Sequence, residues 1–190
     1  MNCRKSMTNS LGAILAFAAA FIIAAPANAQ TLKAVKDRGA LNCGVSEGLY
    51  GFSARDKSGN WSGFDVEMCH AIAAAIFDDA NKIKYVPLDA SRRFEALQSG
   101  SIDVLSRNTT WTLSREVELG LSFAATSYYD GQGFLVRRDL NKETALDLDG
   151  TKICVQTGTT TELNLADYFR ANKMLYSLDD RKSTRLNSSH

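Results

Sequence analysis

The 190-residue chain carries 22 basic and 21 acidic residues, a formal net charge of +1, with 45% hydrophobic residues and two histidines. It shows no basic patch and no interleaving of aromatic and basic residues, which argues against a nucleic-acid partner. Leaving out Arg4, Lys5, Arg181, Lys182 and Arg185, which fall outside the expected fold, the body carries 17 basic and 21 acidic residues, a net charge of −4.

Residues 1–29 read as an export signal. Arg4 and Lys5 make a positive start, residues 11–25 are apolar and uncharged, and Ala27 and Ala29 supply the small residues a signal peptidase reads, so cleavage is expected after Ala29. The apolar run is short for a bilayer, which needs about 20 apolar residues. An exported, periplasmic protein is expected, with no lipidated cysteine at the cleavage point. Cys43, Cys69 and Cys154 remain after cleavage. In an oxidising compartment three cysteines leave one over, so either one thiol stays reduced or its partner lies outside this sequence. Their spacing matches no zinc pattern, and neither a metal nor a cofactor is expected.

Residues 31–38 read as a short amphipathic helix with Leu32 and Val35 on one face, ended by Gly39. Residues 41–45 are an apolar run of strand length, and the loop that follows carries Ser46, Leu49 and Tyr50. Residues 52–54 and 61–64 flank the turn DKSGN and read as a hairpin. Asp65 is the expected N-cap of the strongest helix, in which Val66, Cys69, Ile72, Ala73, Ile76 and Phe77 recur at helical spacing. Residues 83–88 form the next expected strand. Ser91 is the expected cap of a short helix with Phe94 and Leu97, and residues 102–105 form a third strand. Strand and helix alternating at this spacing predict a parallel sheet covered by helices.

The third strand feeds a hydroxyl-rich loop, residues 106–112, which is followed by a short helix beginning at Arg115 and a short strand at 121–123. Loops at the carboxyl ends of parallel strands are where small ligands tend to bind. Asn108 and Thr110 offer polar contacts there, and Arg115 offers the two parallel N–H donors that grip a carboxylate. Phe52, Trp61 and Phe64 are assigned to packing, and Asp65 and Glu67 to helix-start charges. No nucleophile is paired with a base.

Residues 132–136 are extended and apolar, crossing toward a further strand at 152–155. A Gly/Thr turn, residues 157–161, then opens a helix over 162–170. Such a turn presents free N–H groups and the positive end of the helix dipole, which suit an anion. Opposite Arg115, this turn makes a second anion-holding element on a separate lobe, which suggests one carboxylate clamped between the two.

At residues 41–46 (LNCGVS), 63–69 (GFDVEMC), 96–104 (ALQSGSIDV), 106–112 (SRNTTWT), 129–134 (YDGQGF) and 155–160 (VQTGTT) the sequence resembles the periplasmic amino-acid-binding proteins of ABC transporters, extracellular solute-binding family 3. The resemblance runs from Leu32 to Tyr176 and is strongest to the general L-amino-acid subgroup. It implies a type II periplasmic binding protein-like α/β fold, two lobes around a hinge. The first lobe spans residues 30–133; the hinge crossing and part of the second lobe span 134–180. It also implies a free L-amino acid as ligand, an ABC transporter membrane permease as partner, and a monomer. By resemblance Arg115 holds the α-carboxylate, Asn108 and Thr110 receive the α-ammonium, and Thr159 and Thr160 donate to the same carboxylate. Ser46 and Leu49 stand where many members place an acidic residue and an aromatic, with Tyr50 adjacent, which suits broad specificity more than a cationic ligand. Cys43 and Cys69 are the expected disulfide pair, with Cys154 bonded to a second-lobe cysteine outside this sequence. The family's late carboxylate and its return to the first lobe are not in the sequence, so it is expected to be a fragment. Residues 181–190 are expected to be an unrelated appendage. Two other classes use this scaffold: a periplasmic enzyme similar to cyclohexadienyl dehydratase, and a sensing module fused to another domain.

Overall fold

The computed structural model describes residues 27–180; the expected export signal up to residue 26 and the 181–190 appendage lie outside the described residues. In chain order the elements are α1 (Ala27–Arg38), β1 (Leu41–Val45), β2 (Ala54–Arg55), β3 (Trp61–Ser62), α2 (Phe64–Phe77), β4 (Ile83–Pro87), α3 (Arg93–Gln98), β5 (Val104–Leu105), α4 (Leu113–Val117), β6 (Thr151–Val155), α5 (Thr160–Ala171) and β7 (Tyr176–Asp180). Single turns of 3-10 helix sit at Arg138–Leu140 and Ala145–Leu148. From Val35 onward the described residues form one compact unit.

A parallel sheet of order β4-β1-β5 forms the first half, with Leu41 opposite Ile83 and Cys43 opposite both Tyr85 and Val104. Its central strand buries Leu41, Cys43 and Val45, as an apolar run flanked on both edges should. α2 lays Cys69 and Ala73 into the same core, and Cys43 and Cys69 are joined by a disulfide that ties the strand to the helix. The second half is a separate parallel pair, β6-β7, under α5. Leu165 and Phe169, four residues apart on α5, meet Leu148, Val155 and Met174 in a core of their own.

Several elements differ from the sequence reading. α1 begins at Ala27, four residues early, because an Ala-rich start extends a helix readily. Leu32 stays exposed while Val35 is buried. Phe64 is helical rather than part of the hairpin, and Gly63, not Asp65, occupies the N-cap position. Gly63 has φ 120°, and a side chain there would run into the Phe52 carbonyl, so only glycine makes this entry. Ser91 does not cap α3. Asp89 does that work, accepting from the Arg92 N–H (2.9 Å), the Arg92 Nε (2.8 Å) and the Ser91 hydroxyl (2.8 Å). The third strand is only Val104–Leu105. Residues 121–123 make no strand: the Leu121 N–H bonds the Arg115 carbonyl at the end of α4, and Phe123 stacks flat on Trp111. α4 starts at Leu113, capped by the Thr112 hydroxyl. β7 had no reading as a strand in the sequence.

Candidate functional site

The carboxyl ends of β1, β5 and β6 deliver three loops to one cleft of about 1200 Å³. The β1 loop contributes Leu49 and Phe52, the β5 loop Asn108 and Thr110, and the β6 turn Thr159, Thr160 and Thr161. Thr110 and Thr160 already meet across it, their hydroxyls 2.9 Å apart. Gln132, in the extended crossing, fastens to α5 twice, donating to the Thr161 carbonyl and accepting from the Asn164 amide, each at 3.0 Å.

The β6 turn is built as an anion-presenting end. Gly158 sits at φ 78°, Thr159 caps α5 by accepting the Glu162 N–H, and the Glu162 carboxylate accepts the Gly158 N–H at 2.9 Å. This is close to a capping box, with the return bond one residue early. The first-turn amides of Thr160 and Thr161 have no acceptor within the helix and stand at its positive end.

Arg115 is 8% exposed and lies behind the hydroxyl loop rather than along the cleft wall. Its Nη1 donates to the Thr110 carbonyl at 2.5 Å, and its guanidinium carbon sits 5.0 Å from the Phe94 ring centroid. Burial lowers its pKa. Asn108 is held from two sides: its carbonyl accepts from Arg93 Nη1 (3.2 Å), and its side-chain oxygen accepts from Arg107 Nε (3.2 Å) and Nη2 (3.1 Å).

Three residues from the sequence reading are placed differently. Ser46 is buried under the β1 loop and does not line the cleft. Tyr50 is 82% exposed and points away: Gly48 and Gly51 take positive φ, and the Leu49–Ser53 bridge tightens the turn, so Leu49 and Phe52 go inward and Tyr50 is left at the tip. Phe52, assigned to packing, lines the cleft and makes edge-to-face contacts with Phe64 and Tyr128.

The sequence reading missed Asp65, Arg93 and Arg107, all of which line the cleft. Asp65 is 5% exposed, its Oδ2 has no hydrogen-bond partner, and burial raises its pKa to about 6 despite the positive charge of Arg107. Burial likewise lowers Arg107 to about 10, with Asp65 and Asp89 pulling it back. Two signals were readable. Arg107 stands inside the strand-end loop itself, and Arg93 opens a helix, where the dipole disfavours a cation. Among the described residues no three His, Cys, Asp or Glu side chains gather as a metal would require.

Residues 41–183 match the bacterial extracellular solute-binding proteins, family 3. The chain is 56% identical over 167 residues to the general L-amino acid-binding periplasmic protein AapJ of Rhizobium johnstonii, covering 88% of this chain and 49% of that one. It is 56% identical over 160 residues to the glutamate/glutamine/aspartate/asparagine-binding protein BztA of Rhodobacter capsulatus, covering 84% and 47%. Among solved structures, an ABC transporter periplasmic binding protein from Brucella ovis with glutathione bound superposes with a TM-score of 0.76 at 56% identity, over 80% of this chain and 48% of that one. The chain thus spans about half the length of the curated relatives it matches.

Proposed function

Because this chain belongs to the bacterial extracellular solute-binding proteins, family 3, we propose that it is the periplasmic receptor of an amino-acid ABC transporter. It binds L-amino acids in the cleft and delivers them to the membrane permease, acting as a monomer after signal cleavage following Ala29. The observation that carries this reading is the pairing of the hydroxyl loop with the α5 turn across one cleft, in contact through Thr110 and Thr160. A ligand that touches both sides stabilises the closed arrangement by its differential affinity for it.

In this reading residues 30–133 form the first lobe, and 134–180 the crossing and the start of the second. The α-carboxylate is held between the remaining N–H groups of the Arg115 guanidinium and the Thr160 and Thr161 amides. The ammonium is received at Asn108 and Thr110, while Leu49 and Phe52 cover the side chain. The L-amino acids in the relatives' names and the glutathione bound in the solved neighbour share an α-amino acid head, which supports recognition of that head first.

A second reading, an enzyme on the same scaffold, is favoured by Asp65, a cleft carboxyl with a pKa of about 6 that suits proton transfer near neutrality. The relatives are named as solute-binding proteins, so the receptor is the primary reading. Calorimetric titration of the full-length gene product against a panel of L-amino acids, with D-enantiomers as controls, tests it. Saturable binding of several L-amino acids with no turnover is expected. Turnover of a cyclohexadienyl substrate, or binding to none of the panel, would overturn it.

A further inference from the structure

The two halves keep separate cores, one around β1 and α2 and one under α5. Polar contacts between protein atoms join them at the cleft. Arg93, 1% exposed at the start of α3, spreads its guanidinium over both halves. Nη1 donates to the Asn108 carbonyl in the first half at 3.2 Å, and Nη2 donates to the Gly158 carbonyl in the second at 3.3 Å. Nearer the cleft surface, the Thr110 and Thr160 hydroxyls share a hydrogen bond at 2.9 Å. Gly158 brings the second half close. It takes φ 78°, and a Cβ built on it would lie 3.5 Å from the Ala90 carbonyl oxygen and 3.6 Å from the Ser91 Cα. The turn before α5 thus rests against the connection from β4 to α3.

These features suit a joint that opens and shuts. Water barely reaches Arg93, and a hydrogen bond is stronger where water does not compete for it. Because the cores are separate, parting the halves breaks hydrogen bonds rather than one shared apolar core. Resting on the receptor reading, we propose that Arg93, Thr110 and Thr160 form an interlobe latch that closes the cleft before a ligand arrives. Such a latch acts on every ligand alike. The apparent affinity is the affinity of the closed form multiplied by the fraction of molecules already closed. A weaker latch therefore divides all affinities by one common factor and leaves selectivity untouched. The ligand adds its own bridge between the halves to bonds that the chain makes by itself.

The test uses the full-length gene product with L-glutamine and L-asparagine, two neutral probes that differ in side-chain length. In small-angle scattering without ligand, the unmodified protein is expected to have nearly the radius of gyration that it has with saturating L-glutamine. The double variant Arg93→Leu/Thr160→Val is expected to expand when the ligand is removed and to contract when it is restored. In calorimetry the double variant should bind both probes more weakly by one common factor, about tenfold. Unmodified protein that contracts markedly on adding L-glutamine overturns the proposal, a result that stands even if the variant does not fold. So does a selective loss, for one probe and not the other, because the replaced side chains would then be touching the ligand. If neither probe binds the unmodified protein, the receptor reading falls, and ligand-free scattering still decides the latch. A more expanded double variant sustains it, and equal radii overturn it.

Discussion

Replacing Arg115 by alanine probes the head-group clamp. The side chain is nearly buried, tied to the Thr110 carbonyl through Nη1 and stacked on Phe94, so its remaining donors are held in a fixed direction. Truncating one partner of a buried charge-assisted pair costs roughly 2–5 kcal/mol. At about 1.4 kcal/mol per factor of ten, that is roughly a 30- to 4000-fold loss of affinity. The α5 amides remain, so residual binding rather than none is expected. L-glutamine, one of the ligands in the name of a relative, serves as the test ligand. Arg115→Lys retains the charge but loses the two-pronged geometry, and an intermediate loss is expected. The variants also lose packing against Phe94, so a thermal melt must accompany the calorimetry to show that they fold. Arg115→Ala binding L-glutamine within threefold of the unmodified protein would refute this role.

Three further outcomes follow from the structure. The Cys43–Cys69 disulfide closes a loop with a sequence separation of 26, so Cys43→Ala should lower stability by about 3–4 kcal/mol. Urea unfolding that is indifferent to reductant would contradict the bond. Asp65 binds its proton more tightly folded, at about 6, than in the unfolded chain near 3.8, so stability should fall as pH rises between those values, by up to about 3 kcal/mol, and level off above 6. Asp65→Asn should lack that segment when unfolding free energies are compared from pH 4 to 7; an unchanged profile would show that the carboxyl is solvated. Phe169, 0% exposed in the core under α5, should cost about 3–5 kcal/mol as alanine and weaken ligand binding by loosening the α5 turn. A denaturation midpoint that does not move would mean that this core contributes little.

The β-α alternation made the parallel sheet legible, because strands buried on both faces read as short apolar runs and α2 repeats its apolar residues at helical spacing. The two anion-presenting loops were legible too, since hydroxyls and glycine at strand ends carry their chemistry locally. What failed to show depends on the third dimension. Tyr50 looked the equal of Leu49 in sequence, and only the positive-φ turns at Gly48 and Gly51 decide which of them faces inward. Asp65 looked like a helix-start charge, yet the Gly63 entry buries it in the cleft. Arg93 lies 22 residues before Arg115, and nothing local reveals that both settle on the ring of Phe94. β7 was missed because its alternation is weak and its partner is β6, which precedes it by a whole helix.

The central claim is that one ligand is held from both sides of the cleft at once. Amide hydrogen exchange on the full-length gene product, with and without saturating L-glutamate, tests it most directly. The account expects slowed exchange in residues 108–112 and 159–162 together, at the same ligand concentration and to a similar degree. Protection confined to one of the two segments, or to neither, would contradict it.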